Sequence, residues 1–238
     1  MSLKNFVINK ERISIAFYWF CFIFLKCVLI IRFVGRKIPE NQIATFYFLR
    51  RFIMIAEKHQ IVVWAFAGTL LGAIRGGNFA GRPSDLDFHV KCQDVRTLKA
   101  ALINDLIPRH NLMRVLPLVK KSFRVDYSFD SLTRQHLFKF KCFGRTLQLF
   151  EIKEIELIQA DGQNYFEFNS IMNPNERDKL PVREFEALRK SWIYGVQVNV
   201  LENSEVYLEL HYGSDWMTPK AGHKALSERS RLVVVTSL

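Results

Sequence analysis

One stretch limits the folds open to this chain: Trp64-Ala65-Phe66-Ala67-Gly68-Thr69-Leu70-Leu71-Gly72-Ala73-Ile74-Arg75-Gly76-Gly77, followed by Pro83-Ser84-Asp85-Leu86-Asp87-Phe88-His89-Val90. It reads as a strand, a glycine-bounded turn, a short helix, a loop over 78–84 and a second strand. Side chains at i and i+2 of a strand share a face, so Asp85 and Asp87 point together, roughly 6–7 Å apart along the backbone. Leu86, Phe88 and Val90 point the other way, into a core. Two ionised carboxylates on one face repel each other unless a cation lies between them. Their hard oxygens suit magnesium or manganese. A solvent-exposed edge strand would carry the same pair, and D-x-D alone matches freely; the glycine turn upstream favours a site.

With 238 residues, 49% apolar and 24% charged, the chain can bury a sizeable core and is not of disordered composition. Its formal charge of +11 suits an anionic partner: a nucleotide, a nucleic acid or a lipid surface. The basic residues are spread along the sequence, and the tightest pairs, Arg50-Arg51 and Lys120-Lys121, are too short for a nucleic-acid arm. Cys21, Cys27, Cys92 and Cys142 form no C-x-x-C pair, which indicates neither a zinc site nor a disulfide framework.

Three segments follow in order. Residues 1–38 hold a nearly continuous apolar run from Ile13 to Ile31, long enough to cross a bilayer as a helix, interrupted by Lys26 and followed by Arg32, Arg36 and Lys37. A single-pass N-terminal membrane anchor is expected, with a helix packed on the domain or lying in the interface as alternatives. Residues 39–220 form the main domain. Asn41 caps a helix running to Lys58, Ile61–Phe66 is a buried strand, Thr69 caps the short helix, and Asp94 caps a helix to Ile107. Short strands then follow at Leu112–Val119, Phe123–Phe129, Leu137–Phe143 and Leu147–Ile152, with Ile155–Ile158 as a candidate extension of the last. Asn173–Arg183 reads as a loop, Val196–Val200 as a strand after a Tyr194-Gly195 turn, and Ser204–Tyr212 as a helix ended by Gly213. Residues 221–238 are a tail. Helices first and a run of strands later give an α+β class.

Gly68-Thr69 followed by D-x-D on the next strand is the layout of the nucleotidyltransferase fold. More closely, Gly68-Thr69-Leu70-Leu71-Gly72-Ala73-Ile74-Arg75-Gly76-Gly77 with Asp85-Leu86-Asp87 resembles the LicD/fukutin family of phosphoryl-group transferases. A second block, Tyr212-Gly213-Ser214-Asp215-Trp216-Met217-Thr218-Pro219, resembles that family's C-terminal element. The resemblance implies a mixed sheet flanked by helices in a nucleotidyltransferase fold. It implies Mg2+ or Mn2+ held by Asp85 and Asp87, a phosphate-binding turn at Gly68 and Thr69, and Arg75 on the donor phosphate or in local pairing. Tyr212, Gly213 and Trp216 would build the wall of the site. A family segment of the type V-D-I-F supplies a third acid, and the nearest match here, Leu147-Gln148-Leu149-Phe150, puts Gln148 at the acid's place. Glu151, on the opposite face by alternation from Gln148, and Asp126 are the candidates for the missing catalytic carboxylate; without either, the protein would be weakened or inactive.

The expected function is metal-dependent transfer of a phospho-substituent, phosphocholine or an alditol phosphate, from a CDP-linked donor to a glycan or glycoconjugate acceptor at a membrane, with no nucleic-acid partner. The compartment is either the Golgi or ER, in type II orientation, or a bacterial inner membrane. Two alternatives stand beside it: a nucleotidyltransferase acting on nucleic acid or protein, and an inactive LicD-like binding or scaffold protein. His89 shares the acids' strand face and is as well suited to a supporting hydrogen bond as to a ligand. His211 suits a helix C-terminus, Trp192 and Trp216 are more often core or wall than stacking platforms, and Arg82 is a loop arginine ahead of the acids.

Overall fold

The computed structural model describes residues 42–80, 85–106, 123–142, 145–160, 162–169, 177–181 and 187–219. The apolar run 13–31, the expected strand 112–119, Arg82 and the tail 221–238 lie outside the described residues. Among the described residues no helix is long and apolar enough to cross a membrane.

The chain begins with helix α1 (Ile43–Lys58), strand β1 (Val63–Ala65), helix α2 (Ala67–Arg75), strand β2 (Asp85–Lys91) and helix α3 (Cys92–Asp105). Strands β3 (Phe123–Asp130), β4 (Gln135–Cys142), β5 (Arg145–Ala160), β6 (Gln163–Asn169) and β7 (Arg177–Pro181) follow. A hairpin of β8 (Leu188–Ile193) and β9 (Val196–Leu201) leads into α4 (Ser204–Tyr212). The main sheet runs β1-β2-β5-β4-β3, with β6 on the far half of β5 and β7 on β6. It is mixed: β2 and β5 are parallel and the other pairs antiparallel.

Alternation along the strands decides what each face does. Leu86, Phe88 and Val90 of β2, Phe150 and Ile152 of β5, and Phe138 and Phe140 of β4 are buried on one face. Helix α1 covers them with Phe48, 4.4 Å between ring centres from Phe140, and with Phe52, 4.5 Å from Phe88 and 5.2 Å from Phe150. Helix α3 packs on the same face through Leu98, Ala101 and Leu102. Asp85, Asp87 and His89 fall on the opposite face with their register partners Leu149, Glu151 and Lys153. This is an α+β architecture with a mixed sheet flanked by helices, as expected.

The local departures have local causes. Helix α3 starts at Cys92, so Asp94 lies in its first turn and Lys91 takes the cap position. Helix α2 is capped by the extended backbone of Phe66, and Thr69 is already inside it. The polar segment read as a loop contains β7, held by its pairing with β6. The β8–β9 hairpin turns through Tyr194 (φ 48°) and Gly195 (φ 78°), both left-handed as a two-residue hairpin loop of type I′ requires. Tyr194 tolerates that conformation because it is tied at both ends: its N–H donates to the Gly77 carbonyl at 2.7 Å and its hydroxyl to Gln42 Oε1 at 2.6 Å. Trp192, expected in the core or a wall, is 53% exposed on this hairpin.

Candidate metal centre

The strand register brings a third acid to the pair. Asp87 lies directly across from Glu151 on the parallel neighbour β5. One carboxylate oxygen from each of Asp85, Asp87 and Glu151 lies within 4.8 Å of the others. Opposed ligands around a magnesium ion are about 4.2 Å apart at ordinary Mg–O distances, so a small adjustment would close the three onto one cation. Gln148, in contrast, is buried on the other face, in line with Phe150 and Ile152. The β4–β5 register shifts between Phe140 and Lys141, with Gln148 opposite Phe140 and Thr146 opposite Lys141. The irregularity lies at Leu147, ahead of Gln148, and from Gln148 onward regular alternation turns Gln148 away from the acids and Glu151 toward them. Asp126 is placed elsewhere: it lies on β3 opposite Lys139 and pairs with Lys141 at 2.6 Å and Arg124 at 3.1 Å.

The electrostatics fit a cation. Burial first, and then the charges of Asp85 and Glu151, push the Asp87 carboxyl well above its ordinary range. Burial and Asp85 likewise raise Glu151. Hard oxygen donors that are enclosed and mutually repelling gain by taking a divalent cation between them. No comparable group of three is found elsewhere among the described residues.

The glycine turn serves Asp87 directly. Ala67, at φ 42°, turns the chain sharply from β1 into α2. The backbone N–H groups of Gly68 and Thr69, at the helix N-terminus, then donate to the Asp87 carboxylate and oppose the upward shift of its pKa. Thr69 Oγ1 accepts from the Asp87 backbone N–H at 2.9 Å. Thr69 is thus a clamp between α2 and β2 instead of a helix cap, and the turn's N–H groups hold the carboxylate expected to carry metal instead of a phosphate.

The two motif blocks, far apart in sequence, meet here. The Arg75 guanidinium at the end of α2 donates to the Trp216 carbonyl, a local pairing that leaves its Nε without a hydrogen-bond partner among the described residues. Tyr212 ends α4, and Gly213 (φ 90°) allows the chain to reverse and bring the buried Trp216 back. Burial raises the Tyr212 phenol, with Asp87 adding to the shift and Arg75 opposing it. Tyr212 therefore shares the electrostatic environment of the acids. Sequence reading missed Gln135, which lies on β4 and donates through Nε2 to Glu151 Oε2. No motif marks it, and only the β4–β5 register places it there.

His89 lies on the acids' face but is buried beneath Phe66, with ring centres 3.9 Å apart, and burial lowers its pKa strongly. His211 stacks on Tyr207 with centres 5.7 Å apart, and burial together with the Lys153 charge lowers its pKa from 6.5 to about 4. A histidine held neutral contributes stability that is intact above pH 6.5 and is lost as the pH falls toward 4. The drop from 6.5 to about 4 corresponds to roughly 3 kcal/mol. Denaturant titrations between pH 7 and 4 should show a steeper acid loss for the wild type than for His211→Phe; parallel curves would place the His211 ring in water.

No family model matches the sequence. No curated protein matches it either. Similar solved structures include the lincosamide antibiotic adenylyltransferase LnuA with lincomycin bound, at 10% identity over 68% of this chain and 82% of that one, TM-score 0.42. Another is ANT(2")-Ia in complex with adenylyl-2"-tobramycin, at 13% identity over 72% and 76% of the two chains, TM-score 0.39. A likeness this distant carries neither a fold assignment nor a substrate.

Proposed function

We propose that the protein is a divalent-metal-dependent transferase acting at a phosphorus of a nucleotide-linked donor. The convergence of Asp85, Asp87 and Glu151 carries this reading. A bound Mg2+ or Mn2+ would supply charge neutralisation at the donor phosphates. Asp87 is fixed for that duty by the Gly68 and Thr69 N–H groups, and Glu151 is oriented by Gln135. Glu151, one of the three carboxylates and oriented by Gln135, is also placed to take the acceptor hydroxyl's proton. Tyr212 and Trp216 wall the site on the α2 side, with Arg75 holding that wall in place.

The finer reading is a LicD/fukutin-type reaction in a nucleotidyltransferase fold: phosphocholine or an alditol phosphate passes from a CDP-linked donor to a glycan hydroxyl at a membrane. The meeting of the Gly68–Gly77 and Tyr212–Pro219 blocks through Arg75 and Trp216 supports it. The same carboxylates would equally serve nucleotidyl transfer from a triphosphate, in which the nucleoside monophosphate moves and pyrophosphate leaves. Thermal melts decide between them. CDP with Mn2+ should raise the midpoint by several degrees, and ATP or GTP with Mn2+ by less. A larger shift with ATP or GTP, together with labelled nucleotide appearing on an acceptor, would establish nucleotidyl transfer. No shift with any nucleotide and Mn2+ would leave a protein without a working donor site.

A further inference from the structure

The face that carries the three acids continues outward across β4 and β3, and its chemistry changes there. Register rows running across the sheet fix the positions. Asp85 lies opposite Leu149, Leu149 opposite Lys139, and Lys139 opposite Asp126. Lys139 is thus two strand spacings from Asp85, about 10 Å. The next row outward pairs Lys141 with Arg124. Gln135 lies four residues before Lys139 on β4 and reaches Glu151, which confirms that these alternate β4 residues share the acids' face.

Three cations, Arg124, Lys139 and Lys141, therefore surround one carboxylate, Asp126. Arg124 and Lys141 both pair with it, at 3.1 Å and 2.6 Å, and its pKa is lowered chiefly by the Lys141 hydrogen bond. Lys139 makes no ion pair among the described residues. Lysines on an edge strand commonly guard against strand addition, and that would account for charge on β3. It does not account for Lys139 and Lys141, which lie on the inner strand β4. With Lys139, the three paired residues form a part-exposed ledge, the Arg124, Asp126 and Lys141 side chains being 62%, 37% and 21% exposed. Toward His89 and Lys153 the same face is roofed by Phe66 and α4, with Lys153 Nζ 5.6 Å from the Phe66 ring centre and Phe66 5.5 Å from Tyr207. The basic row lies on the other side of the acids from that roof, beyond Asp85.

We infer that Arg124, Lys139 and Lys141 form a subsite for a phosphate group of a substrate whose reacting atom lies at the three carboxylates. Asp126 offsets part of the charge of Arg124 and Lys141, with which it pairs, and Lys139 supplies further positive charge. An ammonium on a strand is a point donor that suits a phosphate arriving from several angles. The phosphate belongs either to the nucleotide donor or to a phosphorylated acceptor. The inference deepens the proposed transferase reading, but phosphate capture by the ledge does not require the metal.

The test uses the full chain in EDTA and measures calorimetric binding of inorganic pyrophosphate to wild type, Lys139→Gln and Asp126→Asn. Lys139→Gln should weaken binding roughly five- to tenfold, and Asp126→Asn, which removes the ledge's own anion, should strengthen it several-fold. A mere loss of structure would weaken binding in both variants, so the opposite signs are the signature, and equal affinities in all three proteins would overturn the inference. Repeating the titrations with Mn2+ separates the sources. If Lys139→Gln weakens CTP binding, the phosphate is the donor's; if it spares CTP but weakens glycerol 3-phosphate, it is the acceptor's. Metal-free pyrophosphate binding at the ledge with no Mn2+-dependent nucleotide binding would sink the transferase reading and leave the subsite standing.

Discussion

Asp87→Asn should reduce transfer on the order of 10³-fold or more while making the metal-free protein more stable. The two effects share one cause. The Asp87 carboxyl is enclosed, faces Asp85 and Glu151, and has its pKa raised well above 3.8 in the fold. For an acid whose folded pKa is raised, the ionised form is the disfavoured one. A stability penalty therefore appears above the unfolded value and grows until the pH passes the folded value. At neutral pH in EDTA the wild type carries that penalty and the asparagine variant does not, although its side-chain oxygen can still accept from Gly68 and Thr69. Thermal melts in EDTA should place the variant above the wild type. Adding Mn2+ should raise the wild-type midpoint and leave the variant nearly unmoved, because the cation offsets charge that the variant lacks. The competing account makes Asp87 a structural anchor for the α2 N-terminus. In that case the variant would melt lower in EDTA, and both proteins would respond alike to Mn2+.

The parts of this site that were legible in the sequence rest on local rules. Alternation alone put Asp85 and Asp87 on one face and Leu86 and Phe88 on the other, and the structure agrees. The span of α4 from Ser204 to Tyr212, ended by Gly213, was also readable, because an amphipathic pattern and a left-handed glycine are local signals. What was not legible depends on strand register. Alternation along β5 set Glu151 on the face opposite Gln148, but which of those faces carries the acids depends on the pairing of Glu151 with Asp87, between strands separated by α3, β3 and β4. The same dependence hid Gln135. Thr69 was misread for a different reason. Its residue type suits a cap, but the sharp turn at Ala67 starts the helix earlier and leaves the Thr69 hydroxyl facing the β2 backbone. β7 was hidden because its polar sequence, Arg177–Pro181, gives no alternating apolar pattern, and backbone pairing with β6 defines it instead.

Gly72→Ala should destabilise the domain by about 3 kcal/mol, even though alanine is the better helix former by roughly 1 kcal/mol. Gly72 lies inside α2, where the chain returns across the helix immediately after Gly77. A Cβ at that position would stand 2.3 Å from the Asn78 carbonyl oxygen, 2.8 Å from the Ala80 nitrogen and 3.1 Å from the Phe79 Cα. All three are backbone atoms, so no rotamer change relieves the clash, and either the 78–80 segment or α2 must move. The segment is not free to yield. The Gly77 carbonyl accepts from Tyr194 N–H at 2.7 Å, the Ala73 carbonyl accepts from Ser191 Oγ at 2.9 Å, and Phe79 is buried with its ring 5.6 Å from Tyr194. Displacing α2 instead would pull the Gly68 and Thr69 N–H groups from Asp87, so Mn2+ affinity should fall together with stability. Gly76→Ala is the control. Its φ of −171° lies outside the left-handed region and its new Cβ would meet only the Asn78 side chain at 3.5 Å, an ordinary contact, so its urea midpoint should stay close to the wild type's. Equal urea midpoints for Gly72→Ala and the wild type would mean that the 78–80 segment does not dock on α2, and the geometry that aims the helix at Asp87 would lose its support.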